Sequence, residues 1–158
     1  MKLTGRTALV TGASRGIGRA IAQAYVAEGA RVVVTGRDIG ALNALVAELG
    51  DAAHAVTGDL AAPKTPDALV AATLARFGAL DLLVNNAGAI HPARDLVDFS
   101  PKDWRAVLEV NLVAPAMLAR AAVPAMRKAG RGHIINLSSI GGRKGGVAAA
   151  RTGRAKRR

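Results

Sequence analysis

One stretch limits what this chain can become: Arg6-Thr7-Ala8-Leu9-Val10-Thr11-Gly12-Ala13-Ser14-Arg15-Gly16-Ile17-Gly18. The continuous apolar run Ala8-Leu9-Val10 has the pattern of a strand buried on both faces. A glycine-rich turn follows, and a helix is expected to open at Ile17. That helix carries Ile17, Ala20, Ile21 and Ala24 at spacings of three and four, which predicts one apolar face. A tight turn feeding a helix N-terminus presents free N–H groups and the positive end of the helix dipole, a combination suited to phosphate. Gly12 can take positive φ, Gly16 allows close approach to the backbone, and Gly18 allows close packing of helix and strand. The spacing is Gly-x-x-x-Gly-x-Gly rather than Gly-x-Gly-x-x-Gly. Glycines are common in ordinary strand–turn–helix units too; the flanking strand and amphipathic helix favour a dinucleotide site.

At 158 residues the chain is long enough for one domain with a core. Just over half the residues are hydrophobic and aromatics are few, so the core is built from Ala, Val, Leu and Ile. No cysteine is present, which excludes disulfides and thiolate metal sites. His54, His91 and His133 are scattered without ligand spacing, so no metal site is expected. No apolar run reaches membrane-spanning length, and the N-terminus lacks the long apolar segment of a signal peptide. A cytoplasmic location without membrane contact is the expectation. The net charge of +11 would suit an anionic partner, but five of the 22 basic residues lie in Arg151–Arg158. Without them 17 basic residues face 11 acidic ones, leaving +6. The tail has no interleaved aromatics for base stacking, so nucleic acid is not the expected partner.

Strand and helix signals alternate along the chain. Strands are expected at 31–35, 54–57, 80–84 and 133–137, and helices at 41–49, 66–77 and from about 101 to 129. Ser100 can cap the last helix and Pro101 can open it, with a bend near Asn111 or Pro115. Five alternations predict an α/β fold: a doubly wound parallel (Rossmann) sheet, with its ligand at the carboxyl ends of the strands.

The motifs at those strand ends appear in a fixed order. They are Thr11-Gly12-Ala13-Ser14-Arg15-Gly16-Ile17-Gly18, Asp59-Leu60, Asn85-Asn86-Ala87-Gly88, Val110-Asn111-Leu112 and Ile135-Asn136-Leu137-Ser138-Ser139. Together they resemble the short-chain dehydrogenase/reductase family, NAD(P)-dependent oxidoreductases built on an extended Rossmann domain. The tone of the motifs is similar to 3-oxoacyl-carrier-protein reductases. The resemblance covers residues 1 to about 150 as an NAD(P)-binding domain, and leaves 151–158 as a basic tail foreign to the family. It implies a small carbonyl or alcohol substrate and a homo-oligomer, the latter doubtful for a chain that stops after the fifth strand.

The resemblance implies a cofactor set of Gly12, Ser14, Arg15, Gly16, Ile17, Gly18, Arg37, Asp59, Leu60, Asn86, Ala87 and Gly88. Asp59 would accept from the adenine amino group beside the Leu60 backbone, or serve only as a turn residue. Asn85 and Asn86 would tie strand ends together, or simply mark a turn. Asn111 would hold a water that helps place a catalytic lysine, or kink its helix or make a polar contact. Ser139, rather than Ser138, resembles the serine that orients the substrate oxygen. Relatives that prefer NAD carry a carboxylate at the end of the second strand, where this chain has Gly36. Arg37 and Arg15 nearby favour the 2′-phosphate of NADP over NAD. Asp38 stands one residue late, and Arg37 could be merely a solvated turn residue.

The resemblance breaks at the general acid. A Tyr-x-x-x-Lys motif is expected about thirteen residues after the serine, where this chain has Thr152-Gly153-Arg154-Ala155-Lys156. Lys156 keeps its place, but Thr152 cannot replace a phenol of pKa about 10. Tyr25, in the first helix, is a packing residue and the sole tyrosine. One spelling of Arg151–Arg158, CGT ACG GGG CGA GCA AAG CGG CGN, gives Tyr-Gly-Ala-Ser-Lys-Ala-Ala when read from its third base. A one-base deletion near codons 148 to 151 would therefore explain the ending. The chain is expected to be catalytically impaired, or to be a non-catalytic NADP-binding fragment. With the fifth strand at an edge, Ile134, Ile135 and Leu137 are expected to meet water, with poor solubility as the consequence.

Overall fold

The apolar runs at Thr7–Thr11 (β1), Arg31–Gly36 (β2) and Leu82–Asn85 (β4) lie side by side as parallel strands. All five residues of β1 and all four of β4 are buried, the pattern of strands covered on both faces. Ala53–Thr57 (β3) and His133–Asn136 (β5) close the two edges, giving the order β3-β2-β1-β4-β5. This computed structural model describes residues 1–90 and 96–139. His91 and the boundary expected near residue 150 lie outside them, as do Thr152, Lys156 and the basic tail.

Helices cover both faces. Gly16–Ala27 (α1) and Ile39–Leu49 (α2) lie on one face, where Ala22, Leu42 and Leu45 pack on Val10, Val32 and Val34. Thr65–Phe77 (α3) and Ala114–Lys128 (α5) lie on the other, where Leu69, Phe77, Leu118 and Met126 pack on Leu9, Val33 and Leu83. The alternation of side chains along β1 and β2 sends neighbouring residues into opposite layers. The doubly wound Rossmann architecture is thus present, up to the fifth strand.

Two readings of the sequence change. The inward stripe of α1 keeps Ile21 but not Ile17, Ala20 or Ala24. Gly18 and Ala22 are buried, Ile21, Tyr25 and Val26 pack beside them, and Ile17 is 65% exposed. The helix is turned so that Gly18 meets the glycine loop. A Cβ at Gly18 would stand 2.4 Å from the Gly12 carbonyl oxygen, so only glycine can face that way. Tyr25 is a packing residue, as expected; burial pushes its phenol pKa up.

The second change concerns the long helical stretch Pro101–Lys128. It is 28 residues with a mean hydropathy of 1.5 over its apolar window, of which 17% is buried. By length and composition it is apolar enough to cross a membrane, contrary to the expectation from runs of residues. Glu109, Asn111 and Arg120 break the run in sequence while leaving the average high. Here its inward face is docked on the sheet through Leu118, Ala122 and Met126, and Arg120 reaches Asp67 of α3.

The stretch has three parts: Pro101–Leu108 (α4), a π-helical turn at Glu109–Val113, and α5. Ser100 caps α4 in a capping box with Asp103, as its position predicts. The bend expected near Asn111 is this π turn.

Below the sheet, Asp81 is buried at the foot of β4. Its carboxylate accepts from the Thr7 N–H at 2.9 Å and is bridged by Arg6 and Arg131. Burial alone would raise its pKa. The Thr7 N–H and the Arg131 and Arg6 guanidiniums outweigh that and hold it below the ordinary carboxylate value.

Candidate functional site

At the carboxyl edge of the sheet, β1 ends and the chain turns into α1. Gly12 and Gly16 both have positive φ, 65° and 56°, which a side chain would make costly. Gly16 opens α1, one residue earlier than the sequence suggests. Nothing lies within 4 Å of a Cβ built on Gly16, so the turn is open outward. Gly12 faces inward, where a Cβ would stand 2.9 Å from the Ala87 Cα. Arg15 occupies the N-cap position without a side-chain hydrogen bond to the helix. The first-turn N–H groups of α1 therefore receive no side-chain cap, and the dipole's positive end points at the opening.

A hydrogen-bonded staple holds this turn against the end of β4. Asn86 Nδ2 donates to the Thr11 carbonyl at 2.8 Å and to the Gly12 carbonyl at 3.2 Å. Thr11 Oγ1 accepts from the Asn86 and Ala87 N–H groups, each at 3.0 Å, and donates to Val84 O. The glycine-turn motif alone gives Thr11 no role. Its buried hydroxyl at a strand end, between two loops, was the available signal.

On the next strand pair, Asn85 Nδ2 donates to Asn136 Oδ1 at 2.8 Å, tying β4 to β5. The expected tying role of both asparagines is thus visible in the geometry. Asn111, in the π turn, accepts from the Ala89 N–H at 2.8 Å and donates to its carbonyl at 2.7 Å. Its side-chain amide is a clamp on the loop after Asn86. The polar-contact alternative is the one seen in its side chain.

These elements enclose a cleft of about 640 Å³ over the strand ends. Gly12, Ser14, Arg15, Gly16 and Ile17 line it, with Asn86 and Ala87 packed directly beside Gly12 and Gly88 next along the lining. Arg37, Asp59 and Leu60 line it as well. The expected cofactor residues thus converge, save Gly18, which lies behind the lining with its Cα against Gly12 and Asn86. Thr35, Gly36, Gly58, Ala89, Ile90 and Val110 also line the cleft and were not in the expected set.

Two details bear on charge. Asp38 caps α2, its Oδ1 accepting from the Ala41 N–H at 3.0 Å, so that carboxylate is engaged by its own helix. Gly36 leaves the end of β2 without a side chain; a Cβ there would stand 3.4 Å from Ser14 Oγ. Asp59 Oδ1 accepts from the Ala61 N–H at 3.0 Å, which is the turn role considered above. Ser138 and Ser139 are exposed just beyond β5 at the same edge of the sheet, outside the cleft lining. Among the described residues no group of His, Cys, Asp and Glu could hold a metal ion.

A family model described as short chain dehydrogenase matches residues 6–156. Among curated relatives, a sorbitol dehydrogenase of Cereibacter sphaeroides is 41% identical over 146 residues, covering 92% of this chain and 57% of its own length. A solved metagenomic short-chain oxidoreductase in complex with NADP is 45% identical with a TM-score of 0.85, covering 91% of this chain and 66% of that one. The 3-ketoacyl-(acyl-carrier-protein) reductase of Brucella melitensis, solved with NADH, is 34% identical with a TM-score of 0.83; the match covers 88% of this chain and 59% of that one. The chain spans about half the length of the curated relatives it matches. With the glycine turn, the asparagine staple and the π-turn clamp in their places on a 3-2-1-4-5 sheet, the chain belongs to the short chain dehydrogenase family.

Proposed function

We propose that this chain forms the NADP-binding part of an oxidoreductase that acts on a small carbonyl or alcohol. The observation that carries the cofactor choice is the end of β2. Arg15 and Arg37 both line the cleft around a side-chain-free Gly36; the carboxylate that follows Arg37, Asp38, is engaged in capping α2, and Asp59 Oδ1 in its own turn. Two guanidiniums without a free carboxylate suit a 2′-phosphate, and the open Gly16 turn suits a pyrophosphate. Asp59 and Leu60 in the cleft lining suit an adenine.

When bound, the nicotinamide gives or takes the hydride. Ser139 orients the substrate oxygen. Asn111 holds the Ala89 loop against the cleft, and Lys156, in the basic tail at 151–158, keeps the place of the family's lysine. Thr152 stands where a phenolic acid is needed, and Tyr25 is committed to packing under α1. The proposal therefore includes impaired turnover, by roughly 10²–10⁴ for a lost general acid. The second reading, a fragment that binds NADP without turnover, rests on the same Thr152.

Fluorescence titration with NADPH and NADH is the test of the cofactor reading. NADPH is expected to bind at least about tenfold more tightly, the advantage falling away in Arg15→Ala/Arg37→Ala. Equal or tighter NADH binding would overturn the choice. An NADPH-oxidation assay over a panel of carbonyls separates slow turnover from none. The nucleotide sequence past codon 147 decides the frameshift: no spelling of Tyr-x-x-x-Lys in another frame means no frameshift.

A further inference from the structure

The amino ends of the strands, opposite the cleft, carry a row of arginines that the nucleotide reading does not use. The pairing register lines them up. Thr7 of β1 stands level with Arg31 of β2, and Arg6 precedes it; Asp81 precedes β4, and Arg131 lies two residues before β5. Asp81 is the carboxylate bonded to this row: Arg6 and Arg131 both pair with its Oδ1, and its Oδ2 accepts from the Thr7 N–H. The Thr7 hydroxyl accepts from Arg31 at 3.3 Å. A fourth guanidinium, that of Arg76 in the last turn of α3, lies 5.0 Å from the centre of the Phe77 ring, and that of Arg31 lies 5.3 Å from the same ring. Among the described residues neither Arg31 nor Arg76 has a carboxylate partner.

The charges here do not balance. Four guanidiniums face one carboxylate, and the negative end of the α3 dipole offsets only about half a charge more. The ring attracts each of its two cations but does nothing for their mutual repulsion. Each guanidinium has five N–H donors, and the contacts above leave most of them unspent. Arg31, Arg76 and Arg131 are exposed and Arg6 is half-buried, so an ion can reach all four. The planar fork of donors matches a phosphate better than a monatomic anion. We propose that the foot of the sheet is a second anion site, separate from the cleft, for a phosphate-class oxyanion held by Arg31 and Arg76 with Arg6 and Arg131 beside them. The ion joins β2, the start of β1, α3 and the residue that leads into the edge strand β5, so its binding stabilises the fold.

Thermal melts of the full chain test this in an Arg15→Ala/Arg37→Ala background, where the arginines of the cleft contribute nothing. Sodium phosphate is compared with sodium chloride at equal ionic strength and pH 7. Phosphate at about 10 mM is expected to raise the midpoint by about 3–5 °C, as one site with a Kd of about 1 mM requires, and to add only logarithmically beyond that. Arg31→Gln/Arg76→Gln in the same background is expected to lose the rise, while Arg120→Gln, on α5 and paired with Asp67, is expected to keep it. Where the double variant does not fold, Arg76→Gln alone is expected to lose at least about half of the rise. Glycerol 3-phosphate in place of phosphate distinguishes the source: an equal rise extends the site to esterified phosphate, no rise restricts it to the free ion, and either supports the site. No rise with inorganic phosphate overturns the proposal. So does a rise that the arginine variants retain or that grows in proportion to concentration, which is a general salt effect. Failure leaves the NADP reading untouched, because the cleft arginines are absent from the test.

Discussion

Gly18 shows how a single hydrogen in place of a side chain orients a helix. A methyl group there meets both the Gly12 carbonyl and Asn86 Nδ2 at 2.4 Å, one of them backbone that cannot move away cheaply. Gly18→Ala is therefore expected to cost about 1–3 kcal/mol, read as a lower urea midpoint, and to weaken NADPH binding because α1 must lift off the turn. Asp81 sets a second residue-scale expectation. Its folded pKa is lowered, so its contribution is present above the unfolded value, about 3.9, and is lost as pH falls through the folded value. Asp81→Asn is expected to cost about 1–2 kcal/mol at pH 7, since the amide keeps the site filled but loses the charge-assisted hydrogen bonds from the part-exposed Arg6 and Arg131. The difference from the parent is expected to shrink below about pH 4, checked by urea melts across pH. The sequence places Asp81 inside an expected strand and offers no hint that two arginines distant along the chain converge on it. That convergence is tertiary.

At the scale of elements, the π turn links helix to site. Widening the helix at Glu109–Val113 sets the Asn111 amide against both the N–H and the carbonyl of Ala89. Asn111→Ala removes both hydrogen bonds from a loop that lines the cleft. It is expected to lower stability by about 1 kcal/mol and NADPH affinity severalfold, measured by thermal melt and fluorescence titration. The elements themselves were legible. Ser100-Pro101 followed by Asp103 announces a capped helix start, and the apolar runs of β1, β2 and β4 announce buried strands. The inward stripe of α1 was not legible, because alanines at 20 and 24 and at 22 are equally apolar and periodicity cannot choose between adjacent stripes. Contact with the glycine turn chooses.

At the scale of the molecule, helices cover both faces of the sheet, while among the described residues the β5 edge and one helix face carry exposed apolar side chains. Ile135 and Leu137 at the β5 edge are 37% and 36% exposed, and Trp104, Leu108 and Leu112 stand out from the α4 stretch. Ile134, expected among the exposed group, instead packs partly against the core. The 158-residue polypeptide is expected to self-associate as concentration rises, which light scattering would show; a monomer at all concentrations would contradict it. The order of motifs along the chain determined the family, the parallel sheet and the larger part of the cleft lining. Those depend on local patterns: runs, caps, and glycines at strand ends. The rotation of α1, the engagement of Asp38 by its own helix and the Thr11–Asn86 staple were decided by tertiary structure alone. Each depends on which polar group finds a partner across chain distances that no local pattern encodes.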